Sequence, residues 1–338
     1  MTAQSEYEKD ILQQPDALSE QLNYALPAEL YELDLHAYDR IVLAGMGSSD
    51  YALIPIERAL IARGLPVWRI DAGRLLDMPN LITADTLLWM TSQSGMSGEV
   101  VKLLDAITRP RTLIGVTNDA GSTLARRADI LVELRSGDEA TVSAKSYLNT
   151  LVASYRVLAA LTNESEQPLL DLLHAHADVV EERVQTLPLA QTLADDFFRH
   201  AKPRLAMIGM GADAATAMTG ALITKESSKV SAEGFIGGEF RHGPMETSGA
   251  EMTALLFGDG SEPTLIQLAG DLLANGTRVI SVAPTAYKGS ELLATPQHEL
   301  LRLIVAMLYV QQLTVTLARG NGMVPGEFLY GKKITVTL

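Results

Sequence analysis

A serine-rich turn between a predicted strand and a predicted helix is the segment whose residue types point most directly to chemistry. The apolar run 86–90 predicts the strand, the periodicity of 98–107 predicts the helix, and between them stands Ser92-Gln-Ser-Gly-Met-Ser97. Such a turn offers hydroxyl groups, backbone N–H groups and the positive end of a helix dipole, which together bind a phosphate monoester. The turn lacks the G-x-x-x-x-G-K-[ST] pattern, so a nucleotide is not its natural ligand. The alternative is an ordinary Ser N-cap on a buried helix.

The tripeptide Gly-Met-Gly occurs twice, each time after a short apolar run and before a helical pattern. The copies are Gly45-Met-Gly-Ser-Ser49 and Gly209-Met-Gly-Ala-Asp213, 164 residues apart (209 minus 45), which predicts duplication of a whole α/β domain. The glycines are expected to allow a tight turn and a close approach to a ligand. The dinucleotide pattern G-x-G-x-x-G is incomplete because Asp50 replaces its last glycine, so NAD is disfavoured. Only the first copy has hydroxyl donors, Ser48 and Ser49, so phosphate is expected in the first half alone.

The elements that must position these turns are apolar strands alternating with helices. This arrangement is typical of parallel sheets covered on both faces, so the sequence predicts an α/β fold of two tandem domains, each a flavodoxin-like, three-layer αβα unit. The predicted strands lie near 40–45, 66–70, 86–91, 111–116 and 129–134, and then near 204–208, 252–257 and 277–283. The predicted domains are 31–165 and 190–338, preceded by a helical arm at 1–30, and the run 300–317 is predicted to be a core helix.

Composition excludes several classes of function. The net charge of −14, with no basic face, argues against a nucleic-acid partner. The absence of cysteine excludes disulfides, thiolate metal sites and Cys nucleophiles. His174 and His176 are spaced i,i+2 and face different sides of a helix, so they are not a metal pair, and His36, His200 and His298 have no supporting constellation. We therefore expect no metal site, and we expect no cofactor. The polar N-terminus is not a signal peptide and no apolar run reaches ~18–20 residues, so we expect a cytoplasmic protein with no membrane partner.

Several motifs occur together in an order more specific than any one of them. Besides the two turns described above, they are Gly137-Asp-Glu with Ser143-Ala-Lys145, Lys225-Glu226, Glu239-Phe-Arg-His-Gly-Pro244 and Lys332-Lys-Ile-Thr-Val336. In this order the sequence resembles the double SIS (sugar isomerase) proteins, in particular the isomerase half of glucosamine-6-phosphate synthase, over roughly residues 35–338. Nothing in it resembles the amidotransferase half. The resemblance therefore implies two tandem SIS domains of the stand-alone type.

The resemblance also implies a role for each matching residue. It places the phosphate among Ser48, Ser49, Ser92, Gln93, Ser94 and Ser97, with Ser143 reaching the sugar or the phosphate. It makes Glu226 the proton-transfer carboxylate, His242 the ring-opening histidine that reaches the neighbouring subunit's site, and Lys332 the lysine of the C-terminal tail.

Departures from the family pattern and ordinary structural roles leave alternatives open. The segment 137–145 is one residue short, and Met96 replaces an acidic residue that often follows the loop. Two extra residues precede Lys332, so Lys333 is equally eligible as the tail lysine. Glu226 could instead be a solvated helix residue paired with Lys229 at i,i+3. The histidine could be a loop residue bonded to backbone, and the tail lysine a surface residue.

Moving a carbonyl group between C1 and C2 of a sugar phosphate needs ring opening, proton transfer between adjacent carbons and stabilisation of an enediol-like oxyanion. The implied residues match these needs. We therefore expect an aldose–ketose isomerase, or an aminosugar-phosphate deaminase or deglycase, acting on a substrate like fructose 6-phosphate or glucosamine 6-phosphate. A homodimer with shared active sites is expected from the resemblance. The alternative is a non-catalytic phosphosugar sensor, although the stretch before the first strand is too short and acidic for a helix-turn-helix domain.

Overall fold

Two parallel five-stranded sheets form the framework of the protein in a computed structural model that describes residues 3–185 and 189–333. The first sheet contains β1 (Arg40–Ala44), β2 (Val67–Arg69), β3 (Thr86–Thr91), β4 (Thr112–Thr117) and β5 (Ile130–Glu133). The second contains β6 (Arg204–Gly209), β7 (Ala232–Ile236), β8 (Met252–Phe257), β9 (Arg278–Ala283) and β10 (Glu291–Ala294). The helices are α1 (Glu6–Leu12), α2 (Gln14–Leu22), α3 (Ser48–Tyr51), α4 (Ile54–Ala62), α5 (Ala72–Asp77), α6 (Gly98–Ala106), α7 (Thr123–Arg127), α8 (Lys145–Leu161), α9 (Gln167–Ala175), α10 (Ala177–Arg183), α11 (Ala190–Arg199), α12 (Ala214–Ser228), α13 (Pro263–Ala274) and α14 (Glu299–Gly320).

Both sheets have the same strand order. The first runs β2-β1-β3-β4-β5 and the second, read from its other edge, runs β7-β6-β8-β9-β10, with every pairing parallel. In each sheet the order reverses after its first strand in sequence, between β1 and β3 and again between β6 and β8. The expected duplication of an α/β domain, with a parallel sheet between helices, is therefore confirmed.

The sequence predicted all five strands of the first sheet but only three of the second. It missed β7, in which Glu233 is exposed and Gly234 interrupts the apolar pattern. It also missed β10, a short edge strand in which only Leu293 is buried. Glycine is favoured at position 234 because a Cβ atom there would lie 3.0 Å from Sδ and 3.1 Å from Cα of Met218 on α12. The close packing of α12 on β7 thus favours a residue without a side chain, and the apolar pattern that predicts a strand is interrupted there.

By packing, the chain divides into two compact units. Residues 14–139, 145–175 and 330–333 form the first-sheet unit, and residues 3–13, 140–144, 176–185 and 189–329 form the second-sheet unit. The tail lysines therefore belong to the same unit as the serine loop, although they lie at the other end of the sequence.

Apolar residues on both faces of the first sheet form its core. Leu43, Trp89 and Val116 point to the face covered by α4 and α8, whereas Val42 and Leu88 point to the face covered by α5 and α6. This alternation along parallel strands is what a sheet buried on both sides requires. Each fully buried side chain of this size contributes roughly 1.5–3 kcal/mol, which holds the strand ends, and the turns that follow them, in place.

Helix α14 is the core helix that the sequence predicted at 300–317. It has 22 residues, and a window of 18 of them has a mean hydropathy of 1.6, so by length and composition it could cross a membrane. Inside the protein 89% of that window is buried. The helix fills the interior of the second-sheet unit.

Candidate functional site

The two hydroxyl-bearing turns lie at the carboxyl edge of the first sheet. Strands β1 and β3 are neighbours, with Ala44 beside Met90, so the turns at 45–49 and 92–97 start side by side. This is also where the strand order reverses, and ligands of open α/β sheets bind at such a position. The structure therefore brings together the two groups of serines that the sequence predicted for phosphate.

The serine loop is held in shape by its own hydrogen bonds and by the segment after β4. Gly95 adopts a left-handed backbone (φ 59°), and its N–H donates to Oγ of Ser92 over 3.1 Å. Its carbonyl oxygen accepts from the N–H of Leu124 over 3.1 Å, and the carbonyl oxygen of Gln93 accepts from the N–H of Asn118 over 3.0 Å. The loop is thus fixed before any ligand arrives, which lowers the entropic cost of binding.

Ser97 does not behave as an ordinary helix cap. It occupies the N-cap position of α6, yet its side chain makes no capping hydrogen bond. Its Oγ atom is buried and has no hydrogen-bond partner within the described residues. A buried hydroxyl without a partner costs roughly 1–3 kcal/mol, and the first N–H groups of α6 also lack partners inside the helix. An anion at the start of α6 would satisfy both, which favours the phosphate interpretation over the simple N-cap.

The first glycine of each Gly-Met-Gly is required by the turn itself. A Cβ atom on Gly45 would lie 2.7 Å from the backbone nitrogen of Asp50, and one on Gly209 would lie 2.6 Å from Cα of Ala214. The chain folds back onto these glycines in both copies. The expected tight turn is thus present at both positions, and the close approach to a ligand stays a prediction. Ser48 and Ser49 lie half-buried just beyond the first turn.

The corresponding loop of the second sheet is closed by its own side chains. After β8, the N–H of Asp259 donates to Oε1 of Glu262 over 2.7 Å and the N–H of Gly260 donates to the hydroxyl of Tyr287 over 3.1 Å. The N–H of Ser261 donates to Oδ1 of Asp259 over 2.7 Å. The backbone donors that could hold an anion are thus already used. This supports the prediction that phosphate binds in the first half only.

Asp213 adds a buried charge at this second position. It stands where Ser49 stands in the first copy, and its Oδ1 lies 2.8 Å from Nε of buried Arg302. Burial raises the pKa of Asp213 to about 6, although the hydrogen bonds from Arg302 oppose the rise. Acidic residues gather here, but across residues 3–185 and 189–333 no group of three or more His, Asp or Glu side chains could hold a metal ion.

The tail lysines differ in their surroundings. Lys332 is exposed, whereas Nζ of Lys333 lies 2.5 Å from Oε2 of Glu139, whose side chain is fully buried. Glu139 follows β5, so this ion pair lies at the carboxyl edge of the first sheet, as the serine loop does. The sequence indicated Glu139 only as part of the Gly137-Asp-Glu motif and predicted no role for it.

Glu226 lies on the last turn of α12 and is half-buried. Nζ of Lys225 donates to the carbonyl oxygen of Ala232 over 2.9 Å, and Nζ of Lys229 donates to the carbonyl oxygens of Glu226 and Glu327. Burial lowers the pKa of both lysines, with carboxylates nearby opposing the shift. The carboxylate therefore sits among partly desolvated amines, which is not the environment of a fully solvated helix glutamate.

His242 is exposed and lies between two 3-10 turns, Gly237–Arg241 and Pro244–Thr247. Its N–H donates to the carbonyl oxygen of Glu239 over 3.0 Å, which fixes the backbone but leaves the imidazole exposed. Just before the histidine, Phe240 packs with Ile208 on the face of the second sheet that α13 covers, and Arg241 pairs with Asp271 on α13. Helix α12, which carries Glu226, covers the opposite face, where Gly220 approaches Met207. The two residues therefore belong to elements on different faces of the second sheet.

Ser143 belongs, like Glu226 and His242, to the second-sheet unit. It is half-buried and precedes α8 by two residues. The predicted residues are therefore shared between the units, with the serines at 48–49 and 92–97 and both tail lysines in the first-sheet unit.

Replacing Ser94 by Ala is expected to weaken binding of a sugar phosphate tenfold or more. The hydroxyl now accepts from the N–H of Met96 over 3.2 Å and can turn toward an anion. A hydroxyl bond to an anion is worth about 1.5–3 kcal/mol. Isothermal titration calorimetry with fructose 6-phosphate measures the effect, with Ser261→Ala in the closed second loop as the matched control. Unchanged affinity of Ser94→Ala would place the phosphate elsewhere.

Comparison with known sequences finds relatives whose names include a sugar phosphate. The SIS domain family matches residues 197–317. A glutamine–fructose-6-phosphate aminotransferase (isomerizing) of Thermus thermophilus is 28% identical over 341 residues, which cover 95% of this chain and 54% of that protein. The chain thus spans about half the length of such curated relatives.

Comparison with solved structures gives the same fold. The C-terminal domain of glucosamine–fructose-6-phosphate aminotransferase from Francisella tularensis has a TM-score of 0.79 at 19% identity, covering 96% of this chain and 99% of that one. Glucosamine-6-phosphate deaminase from Thermotoga maritima has a TM-score of 0.74 at 19% identity, covering 98% and 99%. The tandem αβα architecture seen in the two sheets is therefore the one these proteins have.

Proposed function

We propose that this chain, which belongs to the SIS domain proteins, is an enzyme that opens an (amino)sugar 6-phosphate and transfers a proton between C1 and C2. The observation that carries the proposal is the preformed serine loop at the position where the strand order reverses. At the start of α6, beside this loop, the buried hydroxyl of Ser97 has no hydrogen-bond partner within the described residues. A phosphate monoester satisfies this loop. The SIS domain at 197–317 then favours a sugar as the rest of the ligand.

The remaining residues supply the chemical steps. Glu226 moves the proton between the adjacent carbons, and His242 exchanges protons with the ring oxygen and the anomeric hydroxyl. A tail lysine neutralises the enediolate that forms between them. The phosphate lies far from the reacting carbons, so its binding energy positions the sugar for these steps.

An aldose–ketose isomerase and an aminosugar-phosphate deaminase or deglycase share this proton transfer. Their products distinguish these activities. We propose incubation with fructose 6-phosphate and with glucosamine 6-phosphate in D2O, followed by NMR and an ammonia assay. Deuterium at C1 or C2 without ammonia identifies an isomerase, and release of ammonia identifies a deaminase. Tight binding of either sugar with neither a product nor exchange of any proton would contradict turnover and favour a phosphosugar sensor.

A homodimer with shared active sites is part of the proposal. The placement of Glu226 on α12 and of His242 next to α13, on opposite faces of the second sheet, supports it. Mixing inactive Glu226→Gln protein with inactive His242→Ala protein is expected to restore activity, since a hybrid dimer has one intact site. Under conditions that exchange subunits, activity should approach a quarter of the wild-type value. No recovery, with hybrid dimers confirmed by native mass spectrometry, would refute sharing.

A further inference from the structure

A buried carboxylate holds the lysine tail at the carboxyl edge of the first sheet. Oε1 of Glu139 accepts from the N–H of Ser146 over 3.0 Å, and Oε2 accepts from the hydroxyl of Ser146 over 2.6 Å and from Nζ of Lys333 over 2.5 Å. The side chain of Glu139 is fully buried and that of Lys333 is 21% exposed. Such a pair has a defined geometry, because the carboxylate is fixed by donors on a helix.

Hydrogen bonds connect this pair to the serine loop through Asn118. The N–H of Asn118 donates to the carbonyl oxygen of Gln93 in the loop over 3.0 Å. Its Oδ1 accepts from the N–H of Ser136 over 2.8 Å and from the hydroxyl of Ser136 over 2.9 Å. Its Nδ2 donates to the carbonyl oxygen of Gly137 over 2.9 Å, two residues before Glu139. The ends of β3, β4 and β5 are thus tied into one edge that includes the tail.

We infer that Lys333, rather than Lys332, is the tail lysine that acts on the sugar, and that Glu139 is its positioning residue. The inference rests on the proposed function. Lys332 is exposed, and neighbouring residues of an extended tail point to opposite sides, so one site uses one of them. An ammonium group has three donors. One is occupied by Glu139, and two remain for an oxyanion that develops on a sugar held by the loop.

The two adjacent lysines form a matched pair for the test. K333M is expected to lower kcat for the sugar phosphate by about 10²–10³-fold, the usual effect of losing one oxyanion donor. KM should change little because the loop still holds the phosphate. K332M removes the same charge one residue away and is expected to keep kcat within about threefold. A larger loss in K332M than in K333M would overturn the assignment.

The role of Glu139 is tested by readouts that do not require turnover. E139Q frees the tail, so trypsin should cleave after Lys333 at least tenfold faster, as followed by mass spectrometry. In the same variant kcat should fall while the dissociation constant for inorganic phosphate stays unchanged. E20Q, a change at an exposed glutamate of the same unit, is the control for both. Cleavage of E139Q at the wild-type rate would overturn the positioning role, even if no sugar phosphate is turned over.

The double variant E139Q/K333M distinguishes an effect on the lysine from a loss of folding in E139Q. It removes both charges together, so no uncompensated buried charge remains. Its kcat should equal that of K333M, because the amine is already lost. If E139Q lowers kcat further in the K333M background, with melting temperatures alike, Glu139 acts independently of the lysine and the inference fails.

Discussion

Replacing Glu226 by Gln is expected to lower turnover of the sugar phosphate by roughly 10²–10⁴-fold, the usual cost of losing a general acid–base group. The variant keeps the shape of the side chain and removes its ability to take a proton. Affinity for the sugar phosphate should stay nearly unchanged, since the serine loop in the first-sheet unit is untouched. The loss should therefore fall on kcat rather than on the dissociation constant. Steady-state kinetics and calorimetry on the same preparation measure both.

Proton exchange with solvent tests the same residue more directly. In D2O the wild-type protein is expected to introduce deuterium at C1 or C2 of the sugar, and Glu226→Gln should not. Glu182→Gln, a change at an exposed helix glutamate of the same unit, is the control and should exchange at the wild-type rate. Wild-type exchange in Glu226→Gln would make this residue a surface group and assign the proton transfer to another side chain.

The central strands of the first sheet could be predicted from the sequence because they are continuous apolar runs. Strands β3 and β4 are buried along their whole length, so each of their residues contributes to the signal. The second sheet was harder for a physical reason. Strands β7 and β10 are edge strands with exposed residues, so their apolar patterns are short. In β7 the close approach of α12 also favours a glycine at position 234, which interrupts the pattern.

The serine loop could be predicted because its residue types and its place after a strand already define an anion site. Other parts depend on contacts between segments that are distant in the sequence. Lys333 pairs with Glu139 across 194 residues, and no local pattern marks such a pair. Asn118 follows the apolar run of β4, so its place at a strand end was a usable signal, but its link to Gln93 appears only when the strands are side by side. The reason that the turn requires Gly45 also appears only in the fold, since the atom that a Cβ there would meet belongs to the folded turn.

Replacing Gly95 by Ala is expected to weaken sugar-phosphate binding on the order of a hundredfold or more. The glycine has a left-handed backbone, which costs other residues about 1–2 kcal/mol. A Cβ atom there would lie 2.2 Å from Oγ and 2.6 Å from Cβ of Ser122, the residue that caps α7. Either the cap breaks, at about 1 kcal/mol, or the loop moves away. A moved loop loses several bonds to the phosphate, each worth about 1.5–3 kcal/mol.

Two further variants separate strain from collision. Gly64→Ala has the same kind of backbone penalty, with φ at 78° and no atom within 4 Å of the new Cβ, so it should lose stability but bind the sugar phosphate normally. Gly95→Ala combined with Ser122→Gly removes the two nearest colliding atoms and leaves Oγ1 of Thr117 at 2.9 Å, so it should recover much of the affinity while keeping the backbone penalty. Calorimetric titration and thermal melting of the three proteins provide the comparison. If Gly95→Ala binds the sugar phosphate as tightly as Gly64→Ala while both are folded, the loop has kept its donors in place and the expected loss of affinity is refuted.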